Sequence, residues 1–160
     1  MKSNFKSLAI IAMGVLALHS CSSDDDGSGS VAAPEISNFE FGEGSSHGTD
    51  RVAYKGSDIH LEADINAQGV VSSISIDIHA DDVEVGEGEE EWDYEETWTD
   101  EAYLVINPTL HAHIDIPTNI PSGDYHLTLT VTAELGNSTE VERHVDIIDS
   151  ISISGFSMDE

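Results

Sequence analysis

An antiparallel all-β sandwich of about seven short strands is the fold this sequence predicts. Three observations predict it. From Val31 onward apolar residues recur at every second position, and no stripe of helical period can be written. The runs are short and are separated by turn signals, of which Gly136-Asn137 is the sharpest. Each run also has one apolar and one polar face, the pattern of antiparallel sheets with one side in water. The 160 residues suit one domain, and the 39% hydrophobic residues are grouped tightly enough to form a core.

Taken in order, Glu35 to Phe41 alternates through Ile36 and through Phe39 or Phe41. Asp58 to Asn66 sets Ile59, Leu61, Ala63 and Ile65 on one face, with His60, Glu62 and Asp64 opposite. Val71 to Asp81 sets Ile74, Ile76 and Ile78 against Ser75, Asp77 and His79. Ala102 to Asn107 is short and apolar and reads as a further strand. Leu110 to Pro117 places Leu110, Ala112, Ile114 and Ile116 inward, with His111, His113 and Asp115 outward. Asp124 to Glu134 places Tyr125, Leu127, Leu129, Val131 and Ala133 inward and His126 outward. Thr139 to Ile148 repeats the pattern with Val141, Val145 and Ile147 inward.

Pro121-Ser122-Gly123-Asp124-Tyr125 enters an alternating strand that ends in the Gly-Asn turn. A Gly-x-Tyr step of this kind resembles the last two strands of immunoglobulin-like domains. The resemblance spans roughly residues 31–150 and implies an immunoglobulin-like sandwich whose tyrosine forms a corner with nearby backbone. The usual disulfide is missing, so the likeness is to cysteine-free bacterial members. It carries almost nothing about activity.

Residues 81–101 break the pattern, with 12 acids in 21 residues and Trp92, Tyr94 and Trp98 among them. They read as a long insertion, with a loose hairpin around Trp92 to Trp98. The bland reading is a solvated loop whose aromatics tuck against the sandwich. A functional reading makes Trp92, Tyr94 and Trp98 a platform for a basic partner. A calcium site has less support, because EF-hand spacing cannot be written here.

The whole chain has 32 acids against 5 Lys+Arg, a net charge of −27. That excludes nucleic acid and an anionic membrane surface as electrostatic partners. Lys2 and Lys6 precede an apolar run from Leu8 to Leu18 that is too short to span a bilayer and fits a secretory signal. Leu18-His19-Ser20-Cys21 resembles a bacterial lipobox, with His19 where a small residue is usual. The resemblance implies removal of residues 1–20 and lipidation of Cys21, the only cysteine. Asp24-Asp25-Asp26 behind it looks like the surface-export signal of Bacteroidetes lipoproteins. That implies a lipid-anchored protein on the outer membrane, facing the exterior, with the membrane met only through the anchor. Residues 21–30 are then a flexible acidic tether, 31–150 the sandwich, and 151–160 a tail or extra strand.

Histidine is the only chemistry on offer. His47, His60, His79, His111, His113, His126 and His144 lie beyond the signal, most of them on polar strand faces. His111-Ala112-His113 is the strongest local feature, because residues two apart on a strand point the same way, about 6–7 Å apart. Two such imidazoles can share one ion at about 2.0–2.1 Å per bond. With no cysteine to compete, a site would be His/carboxylate and would suit zinc or copper, with no organic cofactor. Two layouts stay open. Immunoglobulin-like order groups His60 with His111, His113 and Asp115, and His79 with His126 and His144. A single site would draw on His79, His111, His113 and His126. The leading ligands are His111 and His113, then His79 and His126, then His60.

Catalysis has weak support, since neither Gly-x-Ser-x-Gly nor His-Glu-x-x-His is present. The lipobox, the acidic tether, Ile78-His79, the run from His111 to Pro117 and the Gly-x-Tyr-His at 123–126 together look like a group of uncharacterised Bacteroidetes lipoproteins of domain-of-unknown-function type. The expectation is a non-enzymatic surface lipoprotein. It would bind a transition metal and serve an outer-membrane transporter or another surface protein. The competing expectation is a protein- or glycan-binding accessory module that uses the acidic aromatic insertion.

Overall fold

The computed structural model describes residues 32–43 and 51–150. Among them are eight strands and no helix. These are β1 (Glu35–Glu43), β2 (Val52–Tyr54), β3 (Asp58–Asn66), β4 (Val71–Ala80), β5 (Tyr94–Trp98), β6 (Thr109–Asp115), β7 (Gly123–Ala133) and β8 (Ser138–Ile148). They form two sheets, one in the order β1-β3-β6 and the other β2-β8-β7-β4-β5. All pairings are antiparallel except β2 with β8. The protein is a β-sandwich, as the alternation predicts.

The inward faces meet in one core. Ile59, Leu61 and Ala63 of β3 are fully buried, with Leu110 of β6. Across from them lie Ile74 and Ile78 of β4, Leu127, Leu129 and Val131 of β7, and Val145 and Ile147 of β8. Burial of each Ile, Leu or Val among them stabilises the fold by roughly 1.5–3 kcal/mol. Each is flanked on its strand by residues that face out, so the core fixes the outward set as well.

In β1, Ile36 pairs with Ile65 and Phe41 with Leu61, although 36 and 41 have opposite parity. A bulge between Ser37 and Glu40, with Asn38 at φ 50°, supplies the extra residue that turns both inward. At the β7–β8 hairpin Gly136 takes φ 83° and its N–H bonds Ala133 O at 2.8 Å. This is the turn that Gly-Asn predicts. The Tyr125 hydroxyl, fully buried, donates to Pro121 O at 2.9 Å. The tyrosine therefore closes on backbone four residues upstream, the corner that the Gly-x-Tyr step implies.

Two expectations need correction. Residues 102–107, read as a strand, form turns: Tyr103 N–H and Leu104 N–H both bond Asp100 O, and Asn107 sits at φ 55°. The strand lies earlier, at Tyr94–Trp98, inside the acidic stretch. There Trp98 pairs with Ile74 and Tyr94 with Ile78. The spacing Trp92-x-Tyr94-x-x-x-Trp98 keeps a period of two, and the intervening acids concealed it. β2 was also missed, because three residues are too few to show a period. Cys21, the leader, the acidic tether and Ile151-Ser152-Ile153-Ser154 lie outside the described residues.

Lys55 follows β2 and ties this end together, with Nζ 3.0 Å from both Glu89 and Asp149. Burial pulls its pKa down, but the two carboxylates outweigh that and leave it raised. Lys55 and the Gly86 N–H in turn hold the Glu89 carboxyl below its ordinary value. Stability from the depressed carboxyl is present above about pH 4.5 and is lost as pH falls through its folded value. Stability from the raised lysine persists to about pH 10.5 and is lost above it. Lys55→Met should therefore lower the melting temperature most near neutral pH. In paired thermal melts, the gap to wild type should narrow in acid and again in strong alkali.

Candidate metal centre

β3 is the middle strand of the three-stranded sheet, and its outward residues face those of β6 in register. His60 stands opposite His113 and Glu62 opposite His111. On the other side His60 faces Gly42 of β1, which brings no side chain. His60 is only 2% exposed, the one buried polar side chain among the described residues. The rings of His111 and His113 lie against it edge-on, each with its centroid 4.9 Å away. His111 and His113 themselves are open to solvent.

One nitrogen from each ring turns toward the others. His113 Nε2 lies 3.3 Å from His111 Nε2 and 3.5 Å from His60 Nδ1. One nitrogen of each of the three residues lies within 4.8 Å of the other two. Two ligands on a tetrahedral ion with bonds near 2.0–2.1 Å stand about 3.3 Å apart, so the spacing suits a shared cation.

The outer nitrogens face carboxylates. His113 Nδ1 is 2.5 Å from Asp58 Oδ2. His60 Nε2 lies 3.7 Å, and His111 Nδ1 3.9 Å, from Glu62 Oε2. An ionised carboxylate only accepts, so His113 keeps its proton on Nδ1 and points the Nε2 lone pair at its two neighbours. This is the arrangement in which a carboxylate behind the ring orients a metal-binding imidazole. The sequence groups Asp115 with these histidines and assigns no carboxylate the orienting role. The carboxylate beside His113 Nδ1 is that of Asp58, which pairs with Asp115 across the strands.

The other histidines are on the other sheet. His79 of β4, His126 of β7 and His144 of β8 are successive cross-strand partners on its outer face. The ring centroids are 5.3 Å apart for His79 and His126, and 5.0 Å for His126 and His144. The two-patch layout is the one that the register gives. The single site of His79, His111, His113 and His126 is not formed, because the core separates the two sheets. His47 lies outside the described residues.

Trp92, Tyr94 and Trp98 do not form a platform. Trp92 and Trp98 are buried in the core cluster, and Tyr94 packs against it. Burial and the Glu96 carboxylate, which accepts from its hydroxyl, push the Tyr94 phenol up to about 12.

The fold and the side-chain geometry thus define a β-sandwich domain with clustered histidines on both outer faces. Residues 19–148 match the domain of unknown function DUF4625, and the chain belongs to that family. No curated protein matches the chain.

Nitrogen-detected NMR above the ordinary histidine range should find His113 as the Nδ1–H tautomer. In Asp58→Ala the ring should relax toward a mixture of tautomers.

Proposed function

We propose that the protein is a surface lipoprotein that binds a transition-metal ion through His60 Nδ1, His111 Nε2 and His113 Nε2. One observation carries this reading. Three imidazoles turn one nitrogen each toward a common point at spacings of 3.3 and 3.5 Å, while carboxylates lie beside the opposite nitrogens. A lone pair on His113 Nε2 serves one hydrogen-bond donor well. A cation satisfies all three nitrogens together. Zinc and copper suit a set of neutral imidazoles.

Three protein ligands leave a fourth position free, as in sites that exchange what they bind. His111 and His113 open this position to solvent, which favours capture and hand-over above a purely structural ion. On this reading the recipient is an outer-membrane transporter or another surface protein, and Cys21 carries the lipid. The sandwich belongs to the immunoglobulin-like group. The tyrosine corner supports this, as do the strand order and the split of the early strands between both sheets.

Calorimetric titration of the chain with Zn²⁺ tests the proposal. Binding tighter than roughly 10 μM is expected. His60→Ala and the pair His111→Ala with His113→Ala should abolish it, and Asp58→Asn should weaken it about 10- to 100-fold. Binding that is weaker than this, or that survives loss of the imidazoles, would sink the reading.

A further inference from the structure

The five-stranded sheet has its own concentration of ligating groups, and its chemistry differs from the three-imidazole set. Asp81 follows β4 and its N–H bonds Asp124 O at 2.9 Å, so the two carboxylates leave neighbouring strands side by side. His144 of β8 stands diagonally opposite Asp124 of β7, two residues from its direct partner Asp146. Its Nδ1 is 2.9 Å from Asp124 Oδ2 and 4.0 Å from Asp81 Oδ2. All three offer ligand atoms within 4.8 Å of one another. We propose that Asp81, Asp124 and His144 form a second, independent site for an oxygen-preferring divalent cation such as Mn²⁺.

Four features support it. His144 Nδ1 hydrogen-bonds Asp124 Oδ2 at 2.9 Å and lies 4.0 Å from Asp81 Oδ2, so an ion binding there would displace the Nδ1 proton and take its place among three donors already within 4.8 Å of one another. Two carboxylates, one imidazole and water make a harder donor set than three imidazoles, and suit Mn²⁺ better than copper.

The histidine row also holds His144 in place. The His126 ring stacks on it at 7°, and His79, fixed to Asp77 at 2.6 Å, lies against His126 from the far side. His144 is thus set with Nδ1 toward the carboxylates. His79 and His126 act as positioning residues.

The local charge is uncompensated by protein cations. Asp124 stands directly opposite Asp146, and like charges in that position destabilise a strand pair. Among the described residues neither Asp81 nor Asp124 pairs with Lys or Arg, because Lys55 is engaged by Glu89 and Asp149. A divalent ion would relieve that repulsion. The acids that follow Asp81 in the stretch 82–101 belong to no such group with an imidazole among the described residues, which separates this site from diffuse attraction.

Titrating the ¹⁵N-labelled full chain with Mn²⁺ and following paramagnetic broadening tests this. Broadening should centre on the amides of Asp81, Asp124 and His144 and saturate at one ion. It should persist in the triple variant His60→Ala, His111→Ala, His113→Ala, so the outcome stands apart from that of the zinc experiment. The near-isosteric variants Asp81→Asn and Asp124→Asn should each weaken it by about tenfold or more. Broadening spread evenly along residues 81–101, centred on β3 and β6, or indifferent to both Asn variants would overturn the proposal.

Discussion

Ile59 and Leu61 flank His60 on β3, and both are fully buried. A slip of one residue in that strand would turn His60 into the core and push both aliphatic side chains into water, at a cost of several kcal/mol. The same holds for Ile78 beside His79, and for Leu127 beside His126. Burial of alternate aliphatic residues is therefore the constraint on which both histidine clusters depend. No direct interaction between imidazoles is needed to align them. The core sets the register, and the register sets each ring beside its partner on the next strand.

Register alone does not explain why the two clusters differ. On the three-stranded sheet, β3 is central and faces Gly42 on one side, so His60 sinks to 2% exposure beneath two other rings. On the five-stranded sheet His126 is also central, but side chains stand on both flanks, with His144 stacked on it and His79 tilted against it. Carboxylate placement completes the difference. Asp58 and Glu62 stand behind the imidazoles of the first cluster, whereas Asp81 and Asp124 stand in front of His144 in the second.

Much of this was legible in the sequence because it depends only on a period of two. The inward sets of β3, β4, β7 and β8, the hairpin at Gly136 and the grouping of His60 with His111 and His113 all follow from alternation plus strand order. What failed had a different cause each time. β5 was hidden because acids occupy the places between its aromatics, and burial of Trp98 against β4 outweighed the poor strand propensity of that stretch. Residues 102–107 are apolar, yet turns at Asp100 and Asn107 leave Val105 and Ile106 largely exposed. The partnership of Asp58 with His113 crosses strands diagonally, two residues out of register, where no pattern along one chain can reveal it.

The position of the first cluster along the strands bears on what it can serve. β1 begins at Glu35, opposite Asn66 at the far end of β3. His60 lies six residues back along β3, about 20 Å from that end. A chain held at its N-terminus would therefore enter the domain at one end of the sandwich and present the three imidazoles toward the other. A purely structural ion gains nothing from that placement, since the surrounding strands are already fixed by the core. An ion passed to a second molecule does gain, because the exposed His111 and His113 then lie where a partner can reach them. On the proposed reading the buried His60 would keep its place when an ion left, so release would not disturb the sheet that the core and register have built.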